Sequence, residues 1–551
     1  MPTPSSLSEV NHLIDAKHYQ EASAALESLL LEHPAASGAF DLMRQLVERT
    51  GRYSQAVDWL SLFLEQNPQS SGAFRLLGFV MCKLGQFQAG IECFEKSLAI
   101  HPMDAHCICD RASALAELGR NAEALLGYEQ ALALAPDFAE AHGYRGNALL
   151  ALGRQDAAIA SFDQAIALDP RLASAFVNRG NAFMQQDRYS AALADYDQAI
   201  TLQARNAMAH ANRAVALKHL HRHQESQESS VTAISLSPGY FEAQFTLALS
   251  QLLSGDFEHG FQSYQVRWKT AAFAPVRRQF TQPQWLGEAS IAGKRLLVHN
   301  EQGLGDSIQF CRFVAGAAQS GAEVIYEVQA PLLDLMQSLS GVHTLVRQGD
   351  SLPDFDYYCP VMSLPLALGT RLASLPAPIA YLHASPAKRS QWQQRLGTAS
   401  GPRIGLAWSG NPKHQGDRHR SIALASLLQA LPAGPQYVSL QKEVRDSDTA
   451  ALLQRPDLLH FSDAMADFSD TAALCSAMDL VIAVDTSVAH LAGALGIGTW
   501  LLLPPRPDWR WFRDRTDTPW YPQMRLWRQK SAGDWDAVLQ DLHAALRAHP
   551  W

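Results

Sequence analysis

Two architectures in tandem are expected from this chain: an α-solenoid of helical repeats in its first half and an α/β region of two Rossmann-like halves in its second. Three observations carry the expectation. Prolines 34, 68, 102, 136, 170 and 238 keep a 34-residue step, with Ala204 in the one missing place. Gly51, Gly85, Gly119, Gly153 and Gly255 keep the same step, with Asp187 and His221 standing in. After Trp268 that phase is lost, and from Gly293 short apolar runs alternate with amphipathic stretches, the pattern of strands and helices in parallel sheets.

Within each 34-residue unit the chemistry is that of two helices and a turn. Proline cannot continue a helix, and glycine accepts the left-handed turn between the two. Small residues recur at Ala22, Ala56, Gly90, Ala124, Ala158, Ala192 and Gly260, where helices cross closely. A large residue follows four later, as at Phe94, Tyr128, Phe162, Tyr196 and Tyr264. The pattern resembles the tetratricopeptide repeat, with eight units starting near residues 3, 37, 71, 105, 139, 173, 207 and 241 and degenerate caps at both ends. The resemblance implies a superhelix whose groove binds a protein segment. Asn178 and Asn212 share one repeat position, and Asn147 and Asn181 share another. Amides in register suit the backbone of an extended segment. They equally suit hydrogen bonds between helices, the role expected of Arg111, Arg145, Arg179 and Arg213.

The expected domains are the repeats (1–268), a connector (269–292) with Pro275, Pro283 and Gly287, and two α/β halves (293–400 and 401–551). In the first half, strands are expected at Leu296–His299, Glu323–Val328, His343–Val346 and Tyr357–Tyr358, with helices starting near Asp306 and Pro331. Pro376–Leu382 and the polar stretch Ser385–Gly401 read as a crossover. The second half offers Arg403–Trp408, Tyr437–Leu440, Leu458–Phe461, Leu480–Val484 and Thr499–Leu503 as strands, then an amphipathic segment, Asp534–Ala548. Two open sheets facing across a cleft follow from this order.

Composition narrows the function. A formal net charge of −9 argues against electrostatically driven nucleic-acid binding. The seven cysteines are scattered without paired metal spacing, so reduced thiols and a cytoplasmic setting are expected. No basic start followed by an apolar core marks a secretory signal, and no apolar run reaches membrane-spanning length.

Chemistry concentrates at strand ends. Leu296–Val298 empties into Glu301-Gln302-Gly303-Leu304-Gly305-Asp306, a glycine turn opening a helix. Ile308 holds the place of the third glycine of a dinucleotide fingerprint, and no Gly-Lys-Ser/Thr ending makes a P-loop. A carboxylate repels a phosphate, so Asp306 is read as a base facing an acceptor, its pKa lowered by the helix start. A second strand ends at Asp485, after which Thr486 and Ser487 open a helix suited to a diphosphate, with His490 one turn on. A Ser-His-Asp relay fails on spacing here; plain capping with a packed histidine is the bland alternative. The loop Ser409–Ser421 is polar and basic, and its histidines 414 and 419 lack further ligands for a metal. Gln441 and Lys442 close another strand end. The segment Pro504–Arg515, rich in tryptophan and arginine, is expected to close the cleft, with Trp509 or Trp511 near its ligand; a structural role fits equally.

Together, Lys294 to about Gln529 resembles the heptosyltransferase-like glycosyltransferases of GT-B fold, most specifically over Asp485–His490. The resemblance implies metal-independent, inverting transfer with no cofactor and a nucleotide-diphosphate sugar as donor. It implies Asp306 as catalytic base. Donor binding would fall to Gly303, Gly305, Trp408, Ser409, Gly410, Asn411, Lys413, Arg420, Gln441, Lys442, Asp485, Thr486, Ser487 and His490. The chain departs from that family in a short first half and in its eight leading repeats. The combination looks like bacterial repeat-bearing glycosyltransferases that modify proteins such as flagellin, and parallels in layout the O-linked N-acetylglucosamine transferases. A protein acceptor held by Asn147, Asn178, Asn181 and Asn212 is the expectation. The alternatives are a non-catalytic repeat scaffold with a degenerate transferase domain and a transferase for a glycolipid or small acceptor. Oligomerisation is left open.

Overall fold

The computed structural model describes residues 6–551 except 35, 37, 414, 415 and 532. It comprises two compact units, Met1–Arg222 with Ser235–Ser237, and His223–Ile234 with Pro238–Trp551. Among the described residues eight helix pairs follow one another, from Leu7–Asp15 with Tyr19–Glu32 to Phe241–Leu253 with Phe257–Ser263. The first six lie wholly in the first unit, an α-solenoid of repeats.

The turn positions read from sequence share one backbone state. Gly85, Gly119 and Gly153 take φ of 77°, 76° and 75°, and the stand-ins Asp187 and His221 take 59° and 62°. The recurrent small residues are buried except for the half-buried Ala56, with Ala22, Ala124, Ala158 and Ala192 fully enclosed. A second small series faces the aromatics from the preceding helix. A Cβ on Gly146 would lie 2.5 Å from the Phe162 ring, and one on Gly180 would lie 2.6 Å from that of Tyr196. These repeats therefore close on an aromatic ring seated against bare backbone.

The second unit holds two parallel sheets. β1 (Arg295–His299), β2 (Glu323–Val328), β3 (Thr344–Arg347) and β4 (Tyr357–Pro360) form the first, in the order β3-β2-β1-β4. β5 (Arg403–Ala407), β6 (Gln436–Ser439), β7 (Leu480–Val484), β8 (Thr499–Leu503) and β9 (Met524–Arg528) form the second, in the order β6-β5-β7-β8-β9. Gln284 of the connector bridges to Tyr358 of β4, and Trp285 is buried there.

Two expected elements differ, and one strand was not expected. Leu458–Phe461 makes only an isolated bridge, Leu459 to Val438, and is no strand. β9 was unforeseen, an edge strand carrying Arg525 and Arg528. The polar crossover contains a helix, Pro386–Leu396, whose buried residues are Trp392 and Leu396.

One apolar core runs through both sheets, joining Leu296 and Val298 to Val481 and Ala483. The other face of the second sheet packs a separate core around Trp408, Ile482 and Leu539, the last from the C-terminal helix Trp535–Ala548. Two buried arginines cross the seam between the sheets. Arg312 donates to the Trp520 carbonyl at 2.6 Å and to the Tyr381 hydroxyl at 2.9 Å. Arg510 is the other. Phe257, from the last helix of the eighth pair, packs its ring against those of Trp509, Phe512 and Trp520.

Candidate functional site

β1 ends at His299, and the following turn is fixed from below. Arg267, fully buried, donates to both oxygens of Glu301 at 2.8 and 2.7 Å, and Glu301 also accepts the Met362 N–H at 3.2 Å. Gln302 takes φ of +63°, with its amide on the Tyr264 hydroxyl at 3.0 Å. A non-glycine residue in that region is held there by its surroundings.

The turn delivers Asp306 to the third position of the helix Leu304–Phe310. Its Oδ2 accepts the Gly303 N–H at 2.8 Å, and its Oδ1 accepts Arg510 Nη2 at 2.6 Å. The side chain remains 22 % exposed. The expected lowering of its pKa is reversed. Burial pushes the carboxyl above its ordinary value, with Arg510 and the Gly303 N–H opposing the rise and Asp508 and Glu301 adding to it.

Gly305 is where the two strand-end segments meet. A Cβ there would stand 3.0 Å from His490 Cδ2 and 3.5 Å from Ser487 Cα, so any side chain would have to push the His490 ring back by a few tenths of an ångström. The helix Ser487–Ala494 follows β7, opened by Asp485 and Thr486. Burial, aided by Asp508, raises the Asp485 carboxyl to about 6, while Arg420 and Arg510 oppose the shift. The Trp511 indole N–H also favours the anion, yet it misses hydrogen-bond geometry. Thr486 Oγ1 is buried without a partner among the described residues. His490 is buried, shares a 2.9 Å hydrogen bond with Tyr521 through Nδ1 and stacks on Trp511 at 5.2 Å. Burial and three arginines (510, 312 and 420) hold it neutral, well below its usual pKa.

The loop after β5 joins this cluster through Arg420, which donates to the Asp485 carbonyl at 2.7 Å. A Cβ on Gly410 would lie 2.6 Å from Arg420 Nη2 and Asp417 Oδ1. Buried Asp417 binds Arg445 and Ser421, clamping the loop. Ser409 and Gln441 exchange two bonds, from Ser409 N–H at 3.3 Å and to its carbonyl at 3.1 Å. Among the described residues Ser409 Oγ has no partner, although the residue is only 3 % exposed.

Other expected residues stand apart. Trp408 has no ligand-facing surface, being fully buried with its indole N–H on Asp448 at 3.0 Å. Lys442 is exposed and donates to the Ala466 carbonyl at 2.7 Å. Asn411 accepts the Lys413 N–H at 2.9 Å in an exposed turn, and His414 lies outside the described residues. Trp509 and Trp511 are buried and present no open face to a sugar. No group of three or more His, Cys, Asp or Glu suited to a metal occurs among the described residues. Arg510 was missed as a site residue, since nothing in sequence pairs it with a position 204 residues earlier.

In the first unit, Asn181 Oδ1 accepts from the Tyr196 hydroxyl at 2.8 Å and from Asn212 Nδ2 at 2.9 Å. Asn178 is half-buried and Asn147 exposed. The arginines bridge helices as expected. Arg145 donates to Ser161 at 2.9 Å, Arg179 to Asp195 at 2.8 and 2.6 Å, and Arg213 to Asp197 at 2.6 Å. Arg111 differs, its buried Nε without a partner among the described residues; the residue sixteen later, where Arg145 and Arg179 find acceptors, is Gly127.

Comparison with known proteins bears on the repeats first. A family model described as TPR repeat matches residues 112–153, 146–187 and 180–220. The chain carries tetratricopeptide repeats. Protein FlbA of Caulobacter vibrioides is 26 % identical over 357 residues, spanning 59 % of this chain and 58 % of that protein. The chain thus matches little more than half the length of this relative. Among solved structures, the APC/C hetero-tetramer Cut9–Hcn1 aligns with a TM-score of 0.42 at 14 % identity, covering 49 % of this chain and 54 % of that one. A tetratricopeptide repeat protein from Parabacteroides merdae aligns at 0.36 and 14 %, covering 44 % and 97 %. YrrB, described as a TPR protein with an unusual peptide-binding site, aligns at 0.28 and 16 %, covering 33 % and 95 %. No described helix is long and apolar enough to cross a membrane.

Proposed function

We propose that the α/β unit is a metal-independent, inverting glycosyltransferase of GT-B type, and that the repeats recruit its protein acceptor. The observation that carries the reading is the close meeting of Gly305–Asp306 with Ser487–His490. Ser409 Oγ and Thr486 Oγ1, without a partner among the described residues and next to the ends of β5 and β7, support it, because buried hydroxyls without a partner suit a polar ligand. The donor's diphosphate would lie along Ser409–Gly410, Arg420 and Thr486–Ser487, with Asn411, Lys413, Gln441 and Lys442 nearer the rim.

In this mechanism Asp306 takes the proton of the acceptor hydroxyl as its oxygen bonds to the anomeric carbon. The bond from that carbon to the diphosphate oxygen breaks, and its electron pair leaves on the nucleoside diphosphate. Helix N–H groups and Arg420 stabilise the charge that develops there. His490, neutral and fixed by Tyr521, lends shape and a ring edge beside the glycine turn.

The test is a thermal-shift panel of UDP-, GDP-, ADP- and dTDP-linked sugars, followed by turnover with the donor that stabilises the fold. Asp306→Asn should keep donor affinity and lower turnover by about 10²–10⁴. Unchanged turnover would remove Asp306 from the chemistry, and stabilisation by none of the panel would favour the scaffold reading.

A further inference from the structure

We infer that Arg510 is the positioning residue for Asp306, a cation supplied by the second sheet's loop that holds the carboxylate anionic and fixes its orientation. The inference rests on the reading of Asp306 as the base.

Each nitrogen of the guanidinium has its own acceptor. Nη2 binds Asp306 Oδ1 at 2.6 Å, Nη1 binds Asp508 Oδ1 at 2.7 Å, and Nε binds Gln309 Oε1 at 2.7 Å. Asp508 Oδ1 also accepts the Arg510 N–H at 3.1 Å, which ties side chain and backbone together. The Trp509 ring at 4.6 Å and the Phe310 ring at 5.4 Å flank the cation. Only 8 % of the side chain is exposed. A guanidinium held by three acceptors and two rings cannot swing away as a surface arginine does. The backbone that carries it is held too, since Phe512, two residues on, takes φ of +54°, a costly state for an aromatic residue.

Arg510 and Gly303 engage different oxygens of Asp306, so the plane of the carboxylate is set. The other charged groups facing it are Asp508 and Glu301, both acidic, and Glu301 is already committed to Arg267. Removing Arg510 leaves a largely buried carboxyl among like charges, which favours its protonated form. A protonated Asp306 cannot accept the hydroxyl proton. The base comes from the first sheet and its counter-ion from the second, so the base is complete only with both segments seated.

A thiol probe reads this without turnover. In full-length protein carrying Asp306→Cys, the pH dependence of iodoacetamide alkylation at that position is followed by peptide mass spectrometry. The midpoint should stand about one to three units lower with Arg510 present than with Arg510→Met, and Arg510→Lys should restore most of the difference. If Arg510→Met does not fold, Arg510→Gln removes the charge while keeping a donor. Equal midpoints with and without the cation would overturn the inference. A second readout uses the donor chosen by the panel: the acid limb of kcat/KM should move to higher pH in Arg510→Met and return with Arg510→Lys. An unmoved limb would also overturn it. Failure of the panel to find a donor would count against the transferase reading and leave the thiol result standing.

Discussion

Asp485 and Asp306 are carboxylates at strand-end turns, and burial dominates the pKa of both. For Asp485 the folded value, about 6, stands above the ordinary value near 4. The sign of the linkage follows. The folded state binds the proton more tightly than the unfolded chain, so stability falls as pH rises from the ordinary pKa through about 6, and the full cost is present above it. Asp485→Asn should therefore raise the melting temperature at pH 7.5, with the gain shrinking towards pH 4.5. A gain equal at both pH values would show that Asp485 ionises as it would in water. Sequence placed these residues at strand ends but not their ionisation. The helix-start argument for Asp306 assumed solvent, whereas burial raises its pKa, and the charged neighbours Asp508 and Arg510 arrive from a loop some two hundred residues away.

At the scale of elements, the repeat turns and the helix crossings use glycine for different reasons, and this separates two substitutions. Gly119 takes φ of +76°, and a Cβ there would meet nothing within 4 Å, so Gly119→Ala meets only backbone strain, about 1–2 kcal/mol. Gly180→Ala drives a methyl to within 2.6 Å of the Tyr196 ring and costs about 1–3 kcal/mol by overpacking. In urea denaturation, Tyr196→Leu should relieve much of the Gly180→Ala penalty and none of that at Gly119. Equal response of both glycines would deny the distinction. The 34-residue phase made the helices legible because each unit repeats the same local chemistry. Elements without such repetition were less visible. The Pro386–Leu396 helix buries just Trp392 and Leu396, too sparse a stripe to read, and the arginines on β9 disguise an edge strand. Leu458–Phe461 has strand-like apolarity, but among the described residues Leu459 alone makes a backbone bridge to β6.

For the whole molecule, the compact division falls within the seventh helix pair, at Arg222, although the repeat pattern itself continues to Trp268. The sequence could not show this, because the late repeats keep the 34-residue phase while Phe257 and Phe261 pack against Trp509. The division suggests a cut: a chain starting at His223 keeps every residue of the second unit, together with Ser235–Ser237 of the first. If the leading repeats recruit the acceptor, they raise its effective concentration at the site without touching donor chemistry. The truncated chain should then bind the panel's donor and hydrolyse it as the full chain does, while protein modification in cells is lost. The asparagines give a finer version. Asn212→Ala removes one donor to Asn181, whose oxygen still holds Tyr196, so the repeat should stay folded. Asn178→Ala with Asn212→Ala should slow modification of the protein acceptor and leave donor hydrolysis unchanged, as read by mass spectrometry of sugar-bearing peptides from cells expressing each version. Full modification by the double variant would take the amides out of acceptor binding. Full modification by the chain starting at His223 would take the leading repeats out of acceptor choice and favour a small acceptor reaching Asp306 directly.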